Sequence, residues 1–143
     1  MNEAYKIRRL TAADLSDVIS FWQNIPGMGI REKDDSPEGL LRFLKRNPDT
    51  CFAAESDSGI IGTVLAGDDG RRGHLYHVAV APDKQGRGIG KDLVRTAMQA
   101  LAARGITKTT LVVFTENAQG NAFWEKLGFT PRPDLIYRNR QNF

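Results

Sequence analysis

Cysteine, histidine and long apolar runs are scarce in this chain, and each scarcity removes a class of protein. Cys51 is the only cysteine in 143 residues, so no internal disulfide forms, which is consistent with a reducing compartment and a core-filling thiol. No run approaches the roughly 18 consecutive apolar residues of a membrane span. The first residues also lack the apolar stretch of a signal peptide. We therefore expect a cytoplasmic protein without a membrane partner.

Charge of one sign is not concentrated anywhere. The 20 basic and 17 acidic residues leave a net charge of +3 and are spread along the sequence. Nucleic-acid binding needs a basic patch and a recognisable reading element, and neither is present. We therefore expect no nucleic-acid partner. The 143 residues with 41% hydrophobic content indicate one domain, 1–143, with a single core.

Periodicity predicts alternating strands and helices. Helix-start signals at Thr11 and Ser36-Pro37 precede apolar residues at helical spacing. A third helix is predicted after the strand that ends at Val80, and Gly105 marks the C-terminal end of this helix. The predicted strands are 5–10, 51–55, 60–66, 75–80 and 108–114. The last two flank a helical crossover, so we expect them to be parallel neighbours in a mixed sheet.

The most informative segment is Gln85-Gly-Arg-Gly-Ile-Gly-Lys91, which follows a strand and opens the third helix. Alternating glycines let the backbone approach a ligand closely, and the free N–H groups of a first helical turn favour negative charge. Arg87 and Lys91 add positive charge that pairs with phosphate. The segment therefore predicts a site for a pyrophosphate-bearing ligand.

Two common phosphate-binding motifs do not fit this segment. A Walker A loop places Ser or Thr after the lysine, whereas Asp92 follows Lys91. The dinucleotide fingerprint needs glycine at its sixth position, which is Lys91 when Gly86 is the first. A nucleoside triphosphatase and a Rossmann-type site are therefore disfavoured.

The pattern Gln85-x-x-Gly88-x-Gly90 resembles the coenzyme A pyrophosphate loop of the GNAT superfamily of N-acetyltransferases. The segment Asn117-Ala-Gln-Gly-Asn-Ala-Phe-Trp-Glu-Lys-Leu-Gly-Phe129 is similar to the second signature of that family, and 60–64 and 75–80 resemble its central hairpin. The resemblance spans essentially the whole chain. It implies an α/β (α+β) GNAT fold: a mixed central sheet of six to seven strands with a splay between two parallel strands, flanked by about four helices.

The resemblance also implies an activity. It implies transfer of acetyl from acetyl-CoA, the co-substrate, to a primary amine by direct attack in a ternary complex, with no metal and with Cys51 not acting as a nucleophile. The acceptor is expected to be a small-molecule or peptide amine, and the protein a monomer or homodimer. A coenzyme A-binding regulatory module without turnover is the alternative. An α/β nucleic-acid-binding domain is a third possibility.

The identity of the acceptor stays open among protein N-termini, lysines, polyamines, aminoglycosides and small metabolites. The loop 27–35 is expected to wall the acceptor pocket. Asp34 and Asp35 suit either a cationic acceptor or the start of a helix.

By the same resemblance, the pantetheine arm lies along the edge of strand 75–80 and the pyrophosphate lies on the glycine loop. The expected cofactor contacts are Val78, Ala79, Val80, Gln85, Gly86, Arg87, Gly88, Ile89, Gly90, Lys91, Asn117, Asn121, Phe123 and Trp124. The N–H near Val78 is expected to meet the oxyanion of the tetrahedral intermediate. Asn117 suits a helix N-cap equally well.

Three residues are candidates for proton transfer. The acceptor ammonium must lose a proton, and His74 occupies, by resemblance, the position of a glutamate base in some relatives, with Glu116 as an alternative. His77 lies at an odd separation from His74, so in a regular strand the two face opposite sides of the sheet, and we expect one to meet substrate. Many relatives carry a tyrosine where this chain has Trp124, and an indole cannot usefully give up a proton. The departing thiolate is then protonated by Tyr137, on an expected last strand, or by water.

Overall fold

The computed structural model describes residues 3–143, which form two compact units that divide after Leu111. The first unit carries a five-stranded sheet in the order β1-β2-β3-β4-β5. The strands are β1 (Tyr5–Arg9), β2 (Phe52–Ser56), β3 (Gly59–Asp68), β4 (Gly73–Val80) and β5 (Thr109–Thr110). Neighbours are antiparallel from β1 to β4, and β5 is parallel to β4. The sheet is therefore mixed, as predicted.

The prediction of six to seven strands is wrong for the described residues. The expected strand 108–114 is reduced to Thr109–Thr110, and beyond it Val112 and Phe114 are 60% and 73% exposed, so they lack the buried face that stabilises a strand. The expected last strand around Tyr137 is absent from 131–143. Two prolines there, at 131 and 133, remove backbone donors and restrict the residues before them.

Five α-helices are present in the described chain. They are α1 (Leu15–Gln23), α2 (Glu32–Asp35), α3 (Pro37–Arg46), α4 (Ile89–Ala103) and α5 (Ala118–Lys126), the last in the second unit. Single 3-10 turns at Ala12–Asp14 and Pro82–Lys84 precede α1 and α4. The single-turn α2 lies inside the segment 27–35 that was predicted to be a loop. No helix within residues 3–143 is long and apolar enough to cross a membrane.

Helices cover both faces of the sheet in the first unit. A Cβ built at Gly62 of β3 would lie 2.9 Å from Leu93 of α4, and one at Gly67 would lie 2.8 Å from Phe43 of α3. The two glycines are separated by an odd number of residues, so they face opposite sides. The α3 face holds a core that α1 shares: Leu10, Val18, Trp22, Leu40, Leu44, Cys51, Ala53 and Leu65. The α4 face is filled by Ile89, Leu93, Val94, Ala97 and Leu101.

Candidate active site

A β-bulge interrupts β4 at His77 and Val78. The register of β3 and β4 shifts there, so these two residues oppose the single residue Val64. His77 has a φ of +46°, a left-handed conformation that is uncommon outside glycine. A bulge of this kind bends the strand and redirects the groups that follow it. The N–H groups near Val78 therefore depart from a regular ladder.

The bulge also overturns the expectation that the two histidines face opposite sides of the sheet. The His74 ring lies 4.4 Å from the Tyr76 ring, which packs edge-to-face against Phe43 of α3 at 5.7 Å. The His77 ring lies 4.5 Å from the ring of Trp22 in α1. Since α1 and α3 cover the same face, both histidines point toward it. The expectation assumed a regular strand. The bulge adds one residue to β4 at His77 and Val78, so the side chains of the two histidines lie on the same face despite their odd separation.

His74 is held in a form that suits a proton acceptor. Its Nδ1 lies 2.9 Å from Thr110 Oγ1, and that hydroxyl donates to Gly73 O at 3.4 Å. A hydroxyl that donates to the carbonyl accepts from Nδ1–H, which leaves Nε2 as the basic nitrogen. Burial lowers the pKa of His74 below its ordinary value. The imidazole is therefore neutral at neutral pH.

A shallow cleft of about 320 Å³ opens beside His74. Phe43 and Tyr76 form an aromatic wall, and Tyr76 is 47% exposed. Two acidic residues, Asp68 and Asp69, and one basic residue, Arg72, also belong to the lining. The cleft thus brings together aromatic surface, charged groups and an imidazole, and it has room for a small polar molecule.

The glycine-rich segment forms an open helix N-terminus. Gly88 is the N-cap of α4 with a φ of +84°, and Asp92 N donates the first helical hydrogen bond to Gly88 O at 3.0 Å. The N–H groups of residues 89–91 precede this bond, so they have no acceptor within the helix. A Cβ at Gly86 or Gly88 would meet no described atom within 4 Å. The space at these positions is open to a ligand.

Polar side chains fix the loop and charge its surface. Gln85 Nε2 donates to Val80 O at 3.2 Å, which ties the loop to the end of β4. Arg87 donates to Asp83 O at 3.4 Å, and Lys91 is exposed in the first turn of α4. Two cationic groups therefore lie at the positive end of the helix.

Among the predicted contacts in the second unit, both asparagines hold the start of α5. Asn117 Oδ1 accepts from Gly120 N at 2.9 Å. Asn121 Nδ2 donates to Asn117 O at 2.9 Å and to Phe114 O at 3.0 Å. The capping role that the sequence allowed for Asn117 is therefore present.

The other predicted residues of the second unit form an aromatic group and two exposed groups. Trp124 packs edge-to-face with Phe123 at 4.9 Å and with Phe129 at 5.2 Å. Glu116 is exposed and accepts from the Thr115 hydroxyl at 3.1 Å. Tyr137 is 70% exposed and lies in no strand.

Sequence reasoning missed the residues that contact the bulge. Thr63 Oγ1 donates to His77 O at 3.0 Å, and Asp35 Oδ1 accepts from His77 Nε2 at 2.9 Å. Asp35 also accepts from Arg31 N at 2.7 Å. These partners lie far from His77 in sequence, so no local pattern indicates them. Asp35 is therefore engaged with a histidine of β4.

Cys51 has the character of a core residue. It is fully buried, and burial raises the pKa of its thiol to about 11. Such a thiol is protonated at neutral pH and is a poor nucleophile.

Comparison with known proteins identifies the family. The family model described as the acetyltransferase (GNAT) family matches residues 16–129. An acetyltransferase of Yersinia enterocolitica is 30% identical over 135 residues, which cover 94% of each chain. The structure of the PaiA N-acetyltransferase from Thermoplasma acidophilum in complex with coenzyme A has a TM-score of 0.76 at 24% identity and covers 89% of this chain and 90% of that one. Glucosamine-6-phosphate N-acetyltransferase from Arabidopsis thaliana has a TM-score of 0.71 at 22% identity, with 99% and 100% covered. These two structures share the α+β fold with this chain. From the family model and the Yersinia relative we conclude that the chain belongs to the GNAT family of acetyltransferases, which are acyltransferase enzymes.

Proposed function

We propose that this protein transfers acetyl from acetyl-CoA to a primary amine by direct attack in a ternary complex within the single domain 1–143. One observation carries the proposal: the open N-terminus of α4 follows the bulged strand β4 after the short connection 81–88. An anion site and an irregular strand edge are the two surfaces that an acyl-CoA thioester needs. The bound coenzyme A of the Thermoplasma acidophilum structure supports the same ligand here.

The pyrophosphate is proposed to bind the N–H groups of residues 89–91, with Gln85, Gly86 and Gly88 lining the approach. Arg87 and Lys91 add charge at the same end of the helix. A hydrogen bond to a charged group contributes about 1.5–3 kcal/mol, and the helix dipole adds roughly 0.3–1 kcal/mol.

The pantetheine arm is proposed to run along β4. Pairing with β5 covers only Gly73 and His74, so from Leu75 to Val80 no described strand pairs with that edge of β4. Amide groups of an extended ligand pair with such an edge as an added strand would. We propose that this edge forms one side of the splay that the family resemblance implies. We further assign Val78, Ala79 and Val80 to the arm through their backbones, and Asn117, Asn121, Phe123 and Trp124 through the second family signature.

The chemistry is proposed to begin at His74. Its Nε2 removes a proton from the acceptor ammonium in the cleft, and the freed amine attacks the thioester carbonyl carbon. The N–H near Val78 donates to the oxyanion. The C–S bond then breaks, the attacking nitrogen loses its second proton to solvent water to give the neutral amide, and Tyr137 or water protonates the thiolate. Glu116 is the alternative base.

The acceptor is proposed to be a small-molecule or peptide amine that enters the cleft beside His74. The Arabidopsis structure is named for an amino sugar phosphate, which supports an amine acceptor within this fold. The aromatic wall of Phe43 and Tyr76 and the charges of Asp69 and Arg72 favour a polar acceptor with some flat or apolar surface.

A coenzyme A-binding module without turnover is the second candidate function. The observation that favours it is Trp124, which by the family resemblance stands where many relatives carry a tyrosine acid. A tyrosine would donate its proton to the thiolate, whereas an indole N–H does not.

The test is a screen of amines with acetyl-CoA and a free-thiol readout. We expect thiol release that requires a particular amine and that disappears in Gly88→Asp, in which a carboxylate occupies the pyrophosphate site. Tight acetyl-CoA binding by calorimetry, with no thiol release for any amine class, would favour the regulatory module. An absence of acetyl-CoA binding would contradict both functions.

A further inference from the structure

A buried chain of hydrogen bonds holds the backbone of the bulge. Trp22 Nε1 donates to Thr63 Oγ1 at 2.9 Å, and Thr63 Oγ1 donates to His77 O at 3.0 Å. Trp22 and Thr63 are both fully buried. The Thr63 hydroxyl therefore donates its hydrogen bond to the His77 carbonyl and accepts one from the Trp22 indole N–H. A buried hydroxyl in this position has no water with which to exchange these bonds.

The side chain of the same bulge residue is held as well. His77 Nε2 donates to Asp35 Oδ1 at 2.9 Å, and the His77 ring lies 4.5 Å from the Trp22 ring. Asp35 has 8% exposure and is itself anchored by Arg31 N at 2.7 Å. Elements α1, α2 and β3 thus each contribute one contact to His77. We refer to Trp22, Thr63, Asp35 and His77 as the bulge lock.

The backbone at His77 needs such support. A φ of +46° is a conformation that residues with a Cβ rarely adopt. Backbone in a sparsely populated region persists where the surrounding structure fixes it, and such positions cluster at functional sites. In this chain the strained residue directly precedes Val78, whose N–H is the proposed oxyanion donor. The direction of that N–H follows from the peptide plane between the two residues.

We propose that Thr63 and Asp35 are positioning residues, which act through His77 to aim the Val78 N–H at the thioester oxygen. The proposal rests on the proposed acetyl transfer. Neither side chain needs to touch a substrate, because Thr63 acts on the His77 carbonyl and Asp35 acts on its imidazole. The lock also connects α2, in the segment expected to wall the acceptor pocket, to the strand that binds the thioester.

The test compares Thr63→Val with Thr50→Val. Thr50 is 1% exposed, and its hydroxyl donates to Ala66 O at 2.6 Å. Both substitutions remove one buried hydroxyl-to-carbonyl bond and keep the side-chain volume. Thr63→Val also removes the acceptor of the Trp22 indole N–H, so we expect it to lose more thermal stability than Thr50→Val. The Thr50 variant is therefore the control for the loss of one buried hydroxyl-to-carbonyl bond.

For Thr63→Val we expect kcat to fall by roughly 10- to 100-fold, because a misaimed oxyanion donor loses most of its effect. The acetyl-CoA Kd should change less than kcat does, because the pyrophosphate contacts at α4 are untouched and only the pantetheine contacts next to the bulge are affected. Thr63→Ser, which restores the hydroxyl, should recover most of kcat. Equal kcat values for the Thr63→Val and Thr50→Val enzymes would overturn the proposal.

A structural readout separates this proposal from the proposed function. In a crystal structure of Thr63→Val we expect His77 to leave the left-handed region. An unchanged φ and β3–β4 register in that variant would overturn the proposal even before an acceptor is known. A wild-type enzyme that binds acetyl-CoA and acetylates no amine would overturn the proposed function instead. If Thr63→Val does not fold, Asp35→Asn makes the same comparison, with the same expected loss of kcat or change at His77.

Discussion

A single methyl group at the start of α4 tests the cofactor site most sharply. In Gly88→Ala the new Cβ meets no described atom within 4 Å, but the backbone keeps a φ of +84°. The cost to folding is therefore that of a left-handed alanine, about 1–2 kcal/mol. Gly105, just beyond the other end of the same helix, has a φ of +83° and the same open surroundings. Gly105→Ala therefore carries the same folding cost far from the proposed pyrophosphate.

The two variants should differ in cofactor binding. At Gly88 the methyl occupies space proposed for phosphate oxygens, so we expect the loss of about one charged hydrogen bond, roughly 2–3 kcal/mol. That loss raises the acetyl-CoA Kd by about 30- to 150-fold. Isothermal calorimetry measures the Kd, and urea unfolding measures the stability. An equal Kd for the two variants, at matched stability, would refute the placement of the pyrophosphate.

The remaining predictions concern proton transfer and stability. His74→Ala should lower kcat and flatten the acidic limb of the pH profile of kcat, while the acetyl-CoA Kd stays unchanged. Because burial lowers the pKa of His74, the acidic limb of the wild-type profile should lie below about pH 6.5. An acidic limb that is the same in both enzymes would assign the role of base to Glu116 or water. Tyr137→Phe should lower kcat by roughly 10- to 100-fold if the phenol protonates the thiolate, and wild-type turnover would assign that step to solvent. Asp14 lies 2.8 Å from Arg8, which holds the pKa of the Asp14 carboxyl below its ordinary 3.8. The contribution of this pair to stability is therefore full above about pH 4 and is lost as the pH falls through the lowered pKa. The free energy of unfolding in urea should depend less on acid pH in Asp14→Asn than in the wild type, and an identical pH dependence would contradict this role.

The parts of the fold that were predictable from sequence are those with local causes. The start of α3 follows from Ser36 and Pro37, and that of α4 from the glycine segment after a proline, because caps and turns are set by a few neighbouring residues. The glycine-rich loop before α4 was predicted for the same reason. The family that these motifs resemble is the family that the comparisons show.

The errors have long-range causes. The length of β5 depends on whether a neighbouring strand buries Val112 and Phe114, and apolar alternation alone does not decide that. The bulge residue His77 is hydrogen-bonded to Thr63 and Asp35, which are 14 and 42 residues away. Such contacts leave no periodic trace in the sequence, so the faces of the histidines were predicted incorrectly.

Amide chemical shifts during an acetyl-CoA titration show directly where the cofactor binds. Two hollows of similar size are present in the first unit: the cleft beside His74 and one of about 380 Å³ bordered by Met98, Ile106 and Lys108. We expect the largest ¹⁵N–¹H shift changes at residues 86–91 and 78–80, saturable in the wild type and weakened in Gly88→Ala. Shift changes confined to the hollow at Met98 and Lys108, with the shifts of residues 86–91 unchanged, would contradict the proposed acetyl-CoA site.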